Sequence, residues 1–289
     1  MIKVYIYPLT ALIVLAHSLF GQNHHTEEKR STIVEVDGYA YLSEDKTMRD
    51  LREEAFANAK REALQRAQTY LQSFTKVENF TLTYDLIESA AEGYVKILES
   101  KDHGVTPDNR YHVWVKAEVE YTLKKPETSD IPNFAVNKYA PLTVAVWTEK
   151  KEYHAGEEVR IFLKGNKDFY ARVVYQDASG KLLQLLPNPH RLKSFFKGGK
   201  ELAIPEQTDG FKLAVEPPFG KEEIIVYASS APLGEVAVEN SGKNLLQIVD
   251  ELENVAEQTR GIKIVNDAGN KKSEAEFYET RCHVITRKK

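Results

Sequence analysis

Residues 170–189, YARVVYQDASGKLLQLLPNP, form the most clearly patterned stretch of the chain. Apolar and polar side chains alternate at its start, which is typical of a strand with one face in a core. The DASG sequence that follows supplies turn residues, and we expect Gly180 to take a positive φ there. Residues 181–186 return as a second strand, which ends because Pro187 and Pro189 lack a backbone N–H. The stretch therefore predicts a β-hairpin, and it carries no reactive group.

Further short strands on both sides of this hairpin predict a β-rich domain over residues 142–289, which includes the C-terminal tail. Residues 144–147, 211–215 and 224–228 predict short strands, and turns rich in Gly and Pro lie between such segments. This spacing is typical of a β-sandwich or a partly open barrel. Within the return strand of the hairpin, alternation puts Leu183 and Leu185 on one face and the remaining side chains, Leu182, Gln184 and Leu186, on the other.

The order of these segments resembles the bacterial family of unknown function catalogued as DUF 4384. Five blocks carry the resemblance: VWT at 146–148, YHAGE at 153–157, DFY at 168–170, QLLPNP at 184–189 and PFGKE at 218–222. The resemblance covers about residues 142–232. It implies a domain that occurs in exported and multidomain bacterial proteins, and it implies no activity.

The preceding residues, 32–123, predict a small α/β domain with a long helix on an antiparallel sheet. Residues 33–42 predict a strand with a bulge at Gly38, and Thr47 opens a capping-box start to the helix. Small and apolar side chains recur along this helix at three- or four-residue spacing: Met48, Leu51, Ala55, Ala59, Ala63, Ala67 and Leu71. So many alanines on one stripe allow the helix to approach the sheet closely. The opposite face is charged, and we expect it to be solvated.

A second, shorter helix is predicted over residues 80–91, followed by a hairpin of residues 93–99 and 111–123. The last strand has an apolar face of Tyr111, Val113, Val115, Ala117, Val119, Tyr121 and Leu123 and a polar face of His112, Trp114, Lys116, Glu118 and Glu120. We expect Trp114 to cover the hairpin or the helix edge, with stacking on a ligand as the alternative. His103 and His112 flank the connecting loop without the spacing of a metal site.

This domain resembles the amino-terminal domain of flagellar assembly protein T. The resemblance rests on REEA at 52–55, AKREA at 59–63, GYV at 93–95 and YHVWVKAEV at 111–119. That family is structural and related to assembly, so the resemblance implies binding rather than catalysis.

The N-terminus has the layout of a secretory signal peptide. Lys3 precedes an apolar run over residues 4–20, and Gly21 is the small residue at the expected cleavage site, with Ser18 as an alternative. We expect residues 1–21 to be removed and the mature protein to be periplasmic or secreted, without an integral membrane span. An uncleaved anchor is the alternative.

Two further segments complete the predicted organisation. Residues 124–141 contain three prolines and no periodicity, which indicates an interdomain linker. The tail, residues 244–289, predicts an amphipathic helix that ends at Gly261, then strands over 262–265 and 276–285, all packed on the β-rich domain. The single cysteine, Cys282, lies in the last strand and cannot form an intramolecular disulfide, so we expect it to be buried.

Charge and motifs exclude several functions. The chain carries 39 basic and 43 acidic side chains, a net charge of −4, so it presents no basic field for nucleic acid. It has no phosphate loop, hydrolase elbow or zinc-protease motif. The carboxylates of Asp37, Asp45 and Asp50 are expected in helix capping. Residues 190–191 form a cationic loop that we expect to be solvated, with an anionic partner as the alternative. If cleavage follows Gly21, His24 would be the third residue from a free amine, an arrangement suited to copper or nickel. We expect Gln22 to cyclise and block that amine.

The sequence therefore predicts an α+β protein, exported and non-catalytic, that binds or scaffolds other cell-envelope proteins. No catalytic, cofactor-binding or metal-ligating residue is assigned, and no cofactor is expected. One alternative is a carbohydrate-binding β-sandwich module, which would expose Trp147, Tyr170 and Tyr175 in one plane. The other is a hydrolase acting on cell-wall material, which would hold two carboxylates with opposed pKa shifts in one pocket.

Overall fold

A computed structural model describes residues 28–78, 95–122, 138–209, 211–240, 246–261 and 274–289. The predicted signal peptide, the helix at 80–91, most of the linker and the strand at 262–265 lie outside these residues. The helices are α1 (Met48–Glu78) and α2 (Leu252–Arg260). The strands are β1 (Lys29–Tyr41), β2 (Val95–Val105), β3 (Arg110–Tyr121), β4 (Val144–Thr148), β5 (Glu152–His154), β6 (Glu158–Val159), β7 (Ile161–Gly165), β8 (Phe169–Gln176), β9 (Leu182–Leu186), β10 (Phe195–Phe196), β11 (Glu201–Ile204), β12 (Leu213–Ala214), β13 (Lys221–Ser229), β14 (Val238–Asn240), β15 (Leu246–Ile248) and β16 (Glu274–Arg287).

One large sheet joins both predicted domains. Its main path has the order β14-β15-β9-β8-β13-β16-β1-β3-β2, with β10 beside β8 and β5 beside β16. The long strand β16 pairs on one side with β13 and on the other with β1, both antiparallel. The tail was expected to pack on the β-rich domain, and its last strand does pair with β13 and β5 there. The same strand also continues the sheet into the N-terminal region.

The helix α1 packs on β1 and β3 through the predicted stripe. Leu51, Ala55, Ala59 and the alanines that follow are buried against β1 and β3, whereas Met48 is 58% exposed and lies outside the stripe. The capping box is confirmed: the Asp50 backbone N–H donates to Thr47 Oγ1 (3.2 Å) and the Thr47 N–H donates to an Asp50 carboxylate oxygen (2.9 Å).

Gly38 forms no bulge, contrary to the sequence prediction. The pairing of β1 with β3 runs through it without a break, as Gly38 faces Val113. A Cβ at this position would lie 2.1 Å from the Ala55 carbonyl oxygen and 2.6 Å from the Ala59 Cβ. The helix backbone therefore approaches the sheet at Gly38 too closely for a side chain to fit there.

A second core gives the β-rich half its sandwich-like form. The large sheet packs here against a three-stranded sheet of order β11-β7-β4, and the two-stranded pair β12-β6 lies beside it. Buried side chains from both layers meet in this core: Val144, Ile161, Leu163, Ile204, Ala171, Val173, Ile224 and Val226. These layers and the helix on the N-terminal sheet confirm the α+β fold class.

The central hairpin forms as predicted, with one difference in its return strand. Gly180 has φ +88°, and the Asp177 carboxylate accepts hydrogen bonds from the backbone N–H of Ser179 (2.8 Å) and Lys181 (3.0 Å). The pairing of β8 with β9 shifts register near Val173, as at a β-bulge. Leu186 therefore faces the same core as Leu185, and not the opposite face that strict alternation predicts.

The C-terminal helix is shorter than predicted. Residues 246–248 form β15, which pairs with β9, and α2 begins only at Leu252. Gly261 is the C-cap, as predicted, and its N–H donates to the Gln258 carbonyl oxygen. Val255 of α2 packs with Ile33 on the face of the sheet opposite α1. Neither α1 nor α2 has the length and apolar content that a membrane span requires.

A buried ion cluster anchors α2 to the sheet. Arg260 is 7% exposed; its Nε donates to Glu118 (2.7 Å) and a terminal nitrogen donates to Glu279 (3.2 Å). Glu118 also accepts from Ser31 Oγ (2.7 Å), and Glu279 also pairs with Arg281 (2.8 Å). The polar face of β3 is thus covered at Glu118 by α2.

Candidate functional site

A cavity of about 310 Å³ opens at one end of the sandwich-like core. Its floor comes from β8, β9, β13 and β16 of the large sheet, and its opposite wall comes from residues 211–216, which include β12. Apolar side chains dominate the lining: Val159, Ile161, Leu183, Leu185, Phe211, Leu213, Val215, Ile224 and Val284. We call this space the sandwich pocket. Its volume and lining are typical of ligand-binding cavities.

One buried carboxyl group, that of Glu222, lies in this apolar surface. Glu222 is 3% exposed; Thr286 Oγ1 donates to its Oε1 (2.9 Å), and the Tyr175 hydroxyl makes a short hydrogen bond to its Oε2. The Thr286 hydroxyl oxygen in turn accepts from the Gly220 N–H (3.0 Å). None of the ion pairs formed by the described residues involves Glu222. The carboxyl is thus held in place by neutral donors alone.

Burial changes the acidity of this pair. Loss of solvent raises the pKa of Glu222 above that of an ordinary glutamate, and the nearby Asp177 charge acts in the same direction. The hydrogen bonds from Tyr175 and Thr286 oppose that shift because they favour the ionised form. Burial, and then the contact with Glu222, raise the pKa of the Tyr175 phenol, which therefore stays protonated and acts as a donor.

The mouth of the sandwich pocket is formed partly by the loop that was expected to be solvated. The exposed His190 ring lies 5.4 Å from the Phe211 ring. The prediction of a solvated cationic loop is wrong for Arg191, whose side chain is 12% exposed and pairs with Glu206 (3.0 Å) and Asp209 (3.3 Å). Its charge is neutralised within the protein, so it is a structural residue of the loop.

The three aromatic residues considered for sugar binding do not form one plane. Trp147 lies in the small sheet and stacks on Phe162, with ring centroids 5.7 Å apart. Tyr170 contacts Phe195 (5.0 Å), while Tyr175 lies on the opposite face of β8 and lines the sandwich pocket. The structure thus distributes these side chains over separate surfaces.

The N-terminal candidates lie on the sheet face opposite α1. The His112 ring stacks between Tyr39 (4.6 Å) and His103 (4.5 Å), and its Nε2 contacts the Asp37 carboxylate (2.7 Å). Asp37 therefore pairs with a histidine and does not cap the helix. The half-buried Trp114 lies under the Lys101 ammonium of the same hairpin, 5.3 Å from the ring centroid. Stacking on a ligand there was the alternative, and it stays untested.

The remaining candidate residues, Asp45, Asp50 and Cys282, are engaged in contacts within the protein. Asp50 caps α1 as predicted, and Asp45 accepts a short hydrogen bond from Ser43. Cys282 is half-buried and packs on the edge of the sandwich-like core, where burial raises the pKa of its thiol. Across the described ranges, no three His, Cys, Asp or Glu side chains converge in a way that could hold a metal ion.

Sequence reasoning missed Glu222 and Thr286 of the sandwich pocket, and it named Tyr175 only as a residue that could bind sugar. The signal for Glu222 was present, because it precedes Ile224, Val226 and Ala228 at two-residue spacing and so lies on the inward face of β13. The part played by Thr286 depends on the pairing of β16 with β13, which the sequence pattern does not contain.

The architecture defines an α+β protein whose β-rich half carries an apolar pocket. Residues 152–232 match the family described as "Domain of unknown function (DUF4384)", which supports the predicted resemblance for this part of the chain. The comparison with curated proteins finds no match. The matched range includes Tyr175 and Glu222, whereas Val284 and Thr286 of β16 complete the sandwich pocket from outside it. The resemblance to flagellar assembly protein T stays a prediction.

Proposed function

We propose that this is an exported, non-catalytic envelope protein that binds other cell-envelope proteins, and that the sandwich pocket receives an apolar group of its ligand. The observation that supports this most is the combination of an apolar wall with a single recessed carboxyl group at Glu222. Such pockets use apolar area for affinity and a few polar groups to orient the ligand. Compartment and export rest on the N-terminal sequence pattern.

A pocket-filling variant tests the binding role. Leu213 is half-buried in the pocket wall, so Leu213→Trp should fill the space, whereas Leu192 is 79% exposed and lies outside the pocket lining. We expect the neutral fluorophore N-phenylnaphthylamine to bind the wild type and Leu192→Trp saturably and to lose most of its affinity for Leu213→Trp. Equal binding by all three proteins would contradict the proposal.

The same variants address the partner and the compartment. Crosslinking in intact cells should yield envelope adducts with the wild type and Leu192→Trp that are lost with Leu213→Trp. Intact mass of the chain from cell fractions should show removal of about the first 21 residues. A full-length chain that stays in the membrane would contradict export as a released protein.

The hydrolase alternative is less well supported by the geometry. Both oxygens of Glu222 already accept hydrogen bonds, from Thr286 and Tyr175, so its carboxyl is positioned for recognition more than for proton transfer. Incubation of the purified chain with cell-wall material tests this directly. Release of soluble sugars or peptides that Glu222→Gln abolishes would favour the enzyme.

A further inference from the structure

We infer that the sandwich pocket takes an aliphatic chain that ends in an ammonium group, as presented by a lysine side chain of a partner protein. This inference rests on the proposed function, because it names the chemical group that the same pocket would hold. It is carried by the position of Glu222 and by the apolar walls around it.

Charge complementarity is the first step. Glu222 is 3% exposed, and no described Lys, Arg or His forms an ion pair with it, while Asp177 adds further negative charge nearby. A buried carboxylate without a cationic partner is costly, so a cation delivered by a ligand gains more here than at the surface. A ligand carboxylate or phosphate would be repelled by the Glu222 carboxylate and would bind less well.

Hydrogen-bonding capacity is the second step. A carboxylate offers about four lone-pair positions, and Thr286 and Tyr175 each occupy one. An ammonium group has three donors and no acceptor, so it can use the remaining positions. A hydroxyl group could make one such contact, but it would not balance the charge.

The apolar walls are the third step. Leu183, Leu185 and Val284 border the same cavity as Glu222, so a chain of methylene groups can lie along them. Each methylene that becomes buried should raise affinity about fourfold. Two basic residues line the cavity, Lys212 and His190. Lys212 is paired with Glu158 (2.6 Å), and His190 forms no ion pair with Glu222.

The test compares hexylamine, hexanol and hexanoate by isothermal titration calorimetry with the full mature chain at neutral pH. We expect hexylamine to bind about tenfold more tightly than hexanol, or better, and hexanoate to bind least. Glu222→Gln should remove the advantage of the amine over the alcohol. Glu239→Gln makes the same charge change at an exposed position outside the pocket lining and should preserve that advantage.

The outcomes separate this inference from the proposed function. Equal binding of hexylamine and hexanol to the wild type would overturn the inference that the pocket takes an ammonium group, but it would still support an apolar pocket. This comparison needs no variant, so it is valid even if Glu222→Gln fails to fold. Failure of all three ligands and of N-phenylnaphthylamine would overturn both proposals. If hexylamine binds but the peptide acetyl-Gly-Lys-Gly-amide does not, the inference that a lysine side chain supplies the ammonium group is wrong.

Discussion

Replacing Arg260 by Ala should be among the most destabilising single changes in the chain. The side chain reaches from α2 to Glu118 of β3 (2.7 Å) and Glu279 of β16 (3.2 Å), and both glutamates are only 1% exposed. Removal of the guanidinium would leave two buried carboxylates without the cation that lies between them. The loss also includes packing, because the guanidinium lies 4.7 Å from the centre of the Phe277 ring.

The expected loss in the free energy of unfolding depends on the partners that Glu118 and Glu279 keep in Arg260→Ala. Removal of one partner from a buried ion pair costs about 3–5 kcal/mol. Here Glu118 keeps the hydrogen bond from Ser31, and Glu279 keeps Arg281, so both carboxylates stay partly compensated. We therefore expect the free energy of unfolding to fall by about 3 kcal/mol, at the lower end of that range.

Urea unfolding of the mature chain measures this change, with Arg287→Ala as the matched control. Arg287 pairs with Glu152 at 2.7 Å, but the two side chains are 58% and 43% exposed. The control should therefore lose at most about 1 kcal/mol. If Arg260→Ala loses no more than the control, the ion cluster does not anchor α2 and the reasoning fails. Adding Glu118→Gln to Arg260→Ala should recover part of the loss, because it removes one unpaired charge.

Four further changes test the fold, each by urea unfolding unless stated. Gly38→Ala should cost roughly 1–3 kcal/mol because the new Cβ collides with the backbone of α1, and a neutral result would contradict the close approach. Gly180→Val should cost about 1–3 kcal/mol through strain at positive φ, and a wild-type melt would refute the turn. Arg191→Ala should cost about 1–3 kcal/mol, since the Asp209 side chain, which is 8% exposed, would lose its ionic partner; no loss would support the original prediction that the loop is solvated. Cleavage within residues 124–137 should give fragments that elute together on gel filtration, because β16 pairs with β1, and separate elution would contradict a shared sheet.

Elements with strong local patterns could be predicted from the sequence. The stripe of α1 and its Thr47 cap needed only residue spacing, because an amphipathic helix and a capping box are local features. The hairpin turn was also predictable, since Asp177 and Gly180 supply the side-chain acceptor and the positive φ within four residues. These predictions are confirmed at the level of individual contacts.

The errors came from contacts between distant segments. Gly38 looks like a bulge in one strand, and only the position of α1 shows that it makes room for a helix. Glu118 lies on the polar face of its strand, and only the fold shows that Arg260, far along the chain, covers it. Leu246 fits a helical stripe but pairs with β9, because an open strand edge is available there. In each case tertiary packing outweighed the local pattern.

The strand β16 explains why the site was hardest to foresee. Its first half, residues 274–279, pairs with β1 and carries Glu279 of the buried ion cluster. Its second half pairs with β13 and supplies Val284 and Thr286 to the sandwich pocket, where Thr286 holds Glu222. The segment that matches the DUF4384 family therefore does not complete its pocket alone. One strand therefore contributes both to the anchor of α2 and to the floor of the pocket.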